Sequence, residues 1–216
     1  MVAVGNRTRG RLGRFRDEDG LALTEALIVL PLIVLFLAAS IESAAMMMQW
    51  NRTVKAIQVG ARFATVSDPL TSIATLRARP TGAVDGDRDP LDATRNVTCG
   101  AGTIDCDADA LARLMTGSDG QCGGSPTPGG RAGICDIAPF IRPENIRISY
   151  SSSGLGYVGR PAGPVVVVTL EMRNLYFDFF VLGAVLRAFG SDTSSLPIPT
   201  HPVSLVSEDM SDCEGC

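Results

Sequence analysis

One stretch near the amino terminus constrains this chain more than any other. The run that begins at Ala26 and ends at Ile41 is long, apolar and free of charged side chains. As a helix of about 1.5 Å per residue it is roughly 24 Å long, slightly short of a hydrocarbon core of about 30 Å. Residues 43–48 can continue the same helix and supply the missing length. We therefore expect residues 21–48 to span a membrane.

Two acidic residues bracket this predicted span. Glu25 precedes the apolar run and Glu42 follows it, so we expect Glu42 near the outer interface. A charge at the centre of a membrane helix costs about 2.5–3.5 kcal/mol on insertion scales, and less at an interface. Pro31 lies inside the run and predicts a kink, because its ring crowds the carbonyl of Leu27.

Basic residues predict the orientation of this helix. Five arginines precede it, and three basic residues, Arg52, Lys55 and Arg62, follow it. The positive-inside rule then places residues 1–20 in the cytoplasm as a leader and everything after Met48 outside. Two other interpretations stay open: a secretory signal cleaved after Ala45, and an uncleaved plain anchor.

The helix is expected to continue beyond the membrane. Apolar residues recur at alternating spacings of four and three, namely Trp50, Val54, Ile57, Ala61 and Ala64. This stripe predicts an amphipathic extension over residues 49–66 that packs on its own domain, with a partner helix as the alternative. The helix should stop before Pro69, because the residue before a proline resists helical geometry.

At this point the chain resembles a known family. The residues that carry the resemblance are Asp19-Gly20, Thr24-Glu25-Ala26-Leu27, Val29-Leu30-Pro31-Leu32, Glu42, Asn51 and Gly60-Ala61-Arg62-Phe63-Ala64. In order and spacing they resemble the TadE-like proteins of pilus assembly, over residues 19–66. The chain departs from that pattern at Ala26, where members often carry Tyr or Phe, and at Leu21, where classical pilins carry Phe or Met.

The resemblance implies a minor pseudopilin of the tight-adherence (Flp-type) pilus and secretion system. It implies a bacterial inner-membrane protein that a prepilin peptidase cuts after Gly20, which leaves Leu21 as the new amino terminus. Its implied partners are that peptidase, a sibling pseudopilin, the major pilin, the inner-membrane assembly platform and membrane lipid. Glu25 of one subunit could then face the new ammonium group of a neighbour and set the register of assembly.

Residues 67–216 are expected to form a loop-rich domain outside the membrane. Asp107 and Gly117 are the predicted caps of a short helix from Ala108 to Met115. Strands are predicted over residues 145–150, 165–172 and 201–207, the first two joined as a hairpin by a long loop. A small antiparallel sheet packed against the long helix, an α+β pilin-like fold, accommodates these elements.

Residues 175–189 form a second apolar stretch, too short to span a bilayer comfortably. We expect a buried connection within the domain, and the alternative is a helix that lies on the membrane face.

All six cysteines follow the predicted anchor: Cys99, Cys106, Cys122, Cys135, Cys213 and Cys216. An even set in loops on an oxidising side predicts disulfides. We expect two bridges among the first four and a local bridge between the last two; spacing alone does not select the pairing.

Other motifs give weaker indications. Gly154, Gly156 and Gly159 match a dinucleotide fingerprint, but prolines follow where a helix should open, so a hairpin loop is expected. Two runs of alternating aspartates, Asp85, Asp87, Asp89 and Asp105, Asp107, Asp109, lack the other features of a calcium loop and are expected in solvated turns. The single histidine, His201, cannot make a metal site alone.

These observations predict a structural protein with no enzymatic activity, no cofactor and no metal. A net charge of −4 also argues against nucleic acid as a partner. The alternative is an adhesive or ligand-binding domain, secreted or membrane-anchored, that uses its first helix only as an anchor or signal.

Overall fold

The computed structural model describes residues 14–92, 94–123, 130–161, 163–191 and 194–207. Its fold is α+β, with a long amino-terminal helix and a small antiparallel sheet. The chain divides into two compact units, one from Met1–Ala45 and Asp178–Ser195, the other from Met46–Phe177 and Leu196–Cys216. In chain order the elements are α1 (Arg14–Val66), α2 (Ala74–Arg77), β1 (Asn96–Gly100), α3 (Ala108–Thr116), α4 (Ile134–Ile137), a 3₁₀ turn (Pro143–Asn145), β2 (Ile146–Ser152), β3 (Val166–Met172), β4 (Tyr176–Asp178), α5 (Val181–Ala188), β5 (Ser195–Pro197) and β6 (Val203–Val206).

Helix α1 runs without interruption for 53 residues. It ends at Val66, as predicted from the Ser-Asp-Pro sequence that follows. It is already helical at Arg14, the first described residue, which lies upstream of the predicted start at Leu21; no proline interrupts residues 14–20. Within the described residues α1 is the helix long and apolar enough to cross a membrane.

In the second unit, α1 buries a stripe of mostly small side chains. These are Thr53, Ala56, Ile57, Gly60, Ala61, Ala64 and Thr65. A Cβ atom on Gly60 would lie 2.8 Å from Ile134 Cδ1 and 2.9 Å from Leu170 Cδ2, so only glycine allows this close approach. The extension therefore packs on its own domain, as predicted. The buried stripe is rotated from the predicted one, because Trp50 and Val54 are only half-buried.

The main sheet has the strand order β1-β2-β3-β6, and all its pairings are antiparallel. Alternate residues of β2 and β3 are buried, and Ile148 lies opposite Leu170. The hairpin of β2 and β3 and the third strand were predicted from alternation. The start of β2 was placed one residue early, because Asn145 ends a 3₁₀ turn and its amide donates to the carbonyls of Arg173 and Asn174.

Strand β1 was not predicted. The sequence predicts loops and one short helix in this part of the domain, yet residues 96–100 form an edge strand paired with β2. The helix that was predicted there is correct: Asp107 accepts a hydrogen bond from Ala110 N, and Gly117 ends α3 with a φ of 71°.

Two disulfides join Cys99 to Cys106 and Cys122 to Cys135. They confirm the expectation of two bridges among the first four cysteines. Cys213 and Cys216 lie outside the described residues.

The expected buried connection over residues 175–189 is wrong for most of its length. Leu175 and Phe177 are buried, but Phe180 and Phe189 are 87% and 85% exposed. The eight residues of α5 bury only Gly183, because so short a helix finds little cover in its compact unit.

Candidate functional site

The first unit presents a continuous apolar surface along α1. From Leu23 to Ile41 its large side chains are mostly exposed, up to 72% for Phe36. The exposed members of the uncharged run are Leu27, Ile28, Val29, Leu30, Leu32, Ile33, Val34, Phe36, Leu37 and Ile41. A soluble monomer rarely leaves so large an apolar surface in contact with water. This surface suits the acyl chains of a lipid bilayer, and the segment could serve as a membrane anchor.

The predicted processing site lies within the same helix. The backbone of Gly20 and Leu21 is helical and precedes Glu25 by little more than one turn. Glu25 is exposed, and no residue in the described part of the chain pairs with its carboxylate. Ala26 and Pro31 are also exposed. The cut after Gly20 and the kink at Pro31 stay predictions.

The second acidic residue of this helix has a different environment. Glu42 is 8% exposed. One carboxylate oxygen accepts a hydrogen bond from Val181 N, and the other accepts one from Leu182 N at 3.1 Å. Its carboxylate therefore holds the first turn of α5 against α1, within one compact unit.

This contact compensates for a missing cap. The first backbone N–H groups of a helix have no partner inside the helix, and they carry partial positive charge. In α5 the N-cap residue is Phe180, which has no side-chain acceptor. Glu42 supplies both acceptor oxygens from 139 residues earlier in the chain. Sequence analysis placed Glu42 at an interface but missed this role, because no local pattern links residues so far apart.

Hydrogen bonds join the two ends of the segment that contains α5. We call residues 178–195 the 178–195 insert; the structure describes all of it except 192 and 193. Phe179 N donates to Ser194 O at 3.0 Å, and Ser191 N donates to Leu186 O at 3.0 Å. At its two ends, β4 and β5 pair as a two-stranded sheet. The insert is thus a defined loop with a helix.

The second unit contains a cleft of about 760 Å³. It is lined by residues 76–80, Asp89, Arg95, 157–161, 163 and 164. Arg95 is committed to structure: Nη2 donates to Ala78 O at 2.9 Å, and Nη1 lies 3.6 Å from Asp89 Oδ1. The guanidinium therefore joins the end of α2 to Asp89 on the cleft wall.

The aspartate runs have protein partners. Asp85 pairs with Arg79, Asp87 accepts from Val84 N, and both are exposed as predicted. Asp89 contradicts the expectation of a solvated turn, because it is buried beside Arg95. The three aspartates of the second run, Asp105, Asp107 and Asp109, are exposed, and Asp107 caps α3.

The glycine-rich motif lies in the loop between β2 and β3, as predicted. Gly154, Gly156 and Gly159 all have positive φ, and residues 157–161 continue as turns rather than as a helix. His201 is exposed just before β6. Among the described residues, no group of three or more His, Cys, Asp or Glu side chains could hold a metal ion.

No family model, curated protein or solved structure matches this chain. Its proposed function therefore rests on the residues described above.

Proposed function

We propose that this chain is a TadE-like minor pseudopilin, a structural subunit of a tight-adherence pilus and secretion system. The observation that carries the proposal is the first half of α1. One helix contains Gly20, an exposed and unpaired Glu25 among its described neighbours, and a long exposed apolar surface. An ionisable residue beside a membrane segment is costly and is usually retained for a function.

Cleavage after Gly20 would give Glu25 its function. The cut creates an ammonium group on Leu21, close to the inner interface. When two subunits stack with an axial offset, the Glu25 carboxylate of one can face the Leu21 ammonium of the next. Opposite charges about 4 Å apart gain about 4 kcal/mol at an effective dielectric near 20, before desolvation is subtracted. The pair would therefore fix register more than it adds stability.

The location follows from the same features. The five arginines of the leader favour a cytoplasmic amino terminus, and the inner membrane of a bacterium is the proposed compartment. Two disulfides in the second unit suit an oxidising space outside the cytoplasm. In that position the subunit would meet the prepilin peptidase, a sibling pseudopilin, the major pilin and the assembly platform.

Amino-terminal analysis of the protein from its native host tests the proposal. We expect a mature chain that begins at Leu21, and Gly20→Val should abolish this processing. Gly13→Val, in the same leader, is the matched control and should leave processing unchanged. A chain with an intact start would indicate a plain anchor, and a chain that begins at Met46 would indicate a secreted domain.

Assembly is tested at Glu25. Glu25→Ala should leave membrane insertion intact but remove the subunit from complexes purified through its pilin partners. Glu25→Asp, which keeps the charge on a shorter side chain, should restore part of this association. Normal co-purification of the alanine variant would contradict the proposed register contact.

The cleft in the second unit favours one alternative, an anchored ligand-binding domain. Its volume is in the range of small-molecule sites, and Arg77 and Arg79 lie on its wall beside Tyr157. In that case the Gly20→Val variant should work normally in the host, because the first helix would serve only as an anchor.

A further inference from the structure

We propose that the 178–195 insert binds the lipid surface of the membrane that α1 crosses, with Phe180 and Phe189 inserted at the boundary between headgroups and acyl chains. The proposal needs α1 to be a membrane anchor, and it does not depend on cleavage or on pilus assembly.

The first step is the exposure of the insert. Phe180 and Phe189 flank α5 and are the two most exposed large apolar residues in the described chain, at 87% and 85%. Val181, which follows Phe180 in the chain, is exposed as well. Clusters of exposed aromatic side chains mark surfaces that are covered in the working protein.

The second step is the position of the insert. It belongs to the same compact unit as the apolar half of α1. Glu42, which holds Val181 and Leu182, comes directly after the uncharged run that ends at Ile41. The amino terminus of α5 therefore lies next to the end of the uncharged apolar run of α1. Phe180, which directly precedes Val181, is therefore held near that end of the apolar run.

The third step is the charge of the insert. The insert contains three charged residues, Asp178 and Asp192 near its two ends and Arg187 between Phe179 and Gly190. The Nε of Arg187 donates to Gly183 O at 3.3 Å. An arginine can lay its stem along apolar surface and direct its charge to phosphate groups. Helix α5 has eight residues, about 12 Å, and cannot cross a bilayer. A position parallel to the interface is the one that suits its length and side chains.

Glu42 supplies the reason why the insert stays there. A free carboxylate at the outer end of the span would be drawn to water. Here both oxygens accept from backbone N–H groups, and the residue is nearly inaccessible. The contact removes two unpaired donors and one unpaired charge from the same part of the interface. Glu42 is thus a positioning residue for the lipid-binding surface.

The test measures depth in lipid. The full, uncut chain is placed in nanodiscs at one chain per disc, with lipids brominated at shallow or deep acyl positions. Phe180→Trp and Phe189→Trp each report on the insert, and the signal of the unmodified chain, which holds Trp50, is subtracted. The matched control is Leu91→Trp, since Leu91 is 74% exposed but belongs to the second unit.

We expect both insert tryptophans to be quenched by shallow bromines at least about two-fold more than the Leu91 control, as insertion of 5–10 Å requires. Adding Glu42→Ala to Phe189→Trp should reduce that difference while α1 remains in the disc. Quenching no stronger than that of the control would overturn the proposal. A second result would also overturn it: the insert tryptophans are shielded from water only at two chains per disc, and bromine does not quench them. A second copy of the chain, rather than lipid, would then cover the insert. Neither result bears on the start of the mature chain, so failure here is distinct from failure of the pseudopilin proposal.

Discussion

The two halves of α1 differ in which side chains they bury, although they form one helix. In the first unit the helix is apolar and its large side chains are exposed, whereas in the second unit its buried residues are mostly small. Apolar content therefore does not report burial along this helix. In the second unit Gly60 lets Ile134 and Leu170 come within 3 Å of a Cβ position. Among the described residues, no surface covers the large apolar side chains of the first unit in this way.

The sharpest way to break this comparison is to enlarge Gly60. Gly60→Leu places a side chain where Ile134 and Leu170 already lie within 3 Å of a Cβ position. Overpacking of this kind costs typically 1–3 kcal/mol and sometimes more, and we expect the upper end, about 3 kcal/mol. Chemical denaturation of the full chain in detergent, followed by near-ultraviolet circular dichroism, measures the loss.

Gln58→Leu is the matched control for this change. Gln58 is exposed on the same stretch of α1 and receives the same new side chain. We expect a change in the free energy of unfolding within about 0.5 kcal/mol. Equal losses for both variants would mean that the close packing at Gly60 does not stabilise the second unit.

Removal of the disulfides should give the next largest loss of unfolding free energy, and this loss should again be confined to the second unit. Replacing Cys122 and Cys135 with alanine should destabilise the second unit by about 3 kcal/mol, because the bridge closes a loop of 13 residues. Replacing Cys99 and Cys106 should cost slightly less, since their separation is 7. Insertion of α1 into membranes should be unchanged in both pairs. Loss of insertion would show that insertion of α1 depends on the folded second unit.

These differences indicate what sequence could and could not predict. The caps of α3 and the end of α1 were predictable, because an aspartate, a glycine and a proline act on their immediate neighbours. The alternation of β2 and β3 was equally local. Strand β1 was missed because its five residues include only two apolar side chains, Val97 and Cys99, and because Asn and Gly are poor strand formers. The strand depends on its pairing with β2.

The insert shows a different limit of sequence reasoning. Its apolar composition predicts removal from water but cannot say whether protein or lipid provides the cover. The contact of Glu42 with Val181 joins residues 139 positions apart, and the acidic residue that sequence did single out, Glu25, lies elsewhere on the helix. Only the tertiary structure distinguishes these two carboxylates.

The pH dependence of unfolding tests the burial of Tyr150 in the second unit. Burial raises the pKa of Tyr150 to about 12 from its ordinary 10, although the hydrogen bond from Leu70 N opposes this shift. The neutral phenol is therefore favoured in the folded state. The raised pKa of Tyr150 therefore contributes to the free energy of unfolding in full below pH 10. This contribution is lost as pH rises toward 12, and about 1.4 kcal/mol of it is lost at pH 11. Unfolding measured at pH 8 and pH 11 gives this difference.

Tyr150→Phe separates this effect from every other group that titrates in the same range. Phenylalanine cannot ionise, so the extra loss between pH 8 and pH 11 should disappear. At pH 8 the variant should be less stable by about 1 kcal/mol, because Leu70 N loses its acceptor. An unchanged alkaline loss in the variant would place the responsible group elsewhere.

The smallest predicted effect compares the two carboxylates of α1 in the first unit, those of Glu25 and Glu42. Glu42→Ala should weaken the attachment of α5 by about 1 kcal/mol, the usual value of an N-terminal capping interaction, because two backbone donors lose their acceptors. Hydrogen exchange in nanodiscs should then be about five-fold faster at Val181 and Leu182. Glu25→Ala is the matched control, since it removes an acidic side chain from the same helix without a described contact, and exchange in the insert should stay unchanged. If both variants accelerate exchange equally, the insert responds to the charge of the helix as a whole. If neither does, the Glu42 carboxylate does not stabilise the attachment of α5 to α1.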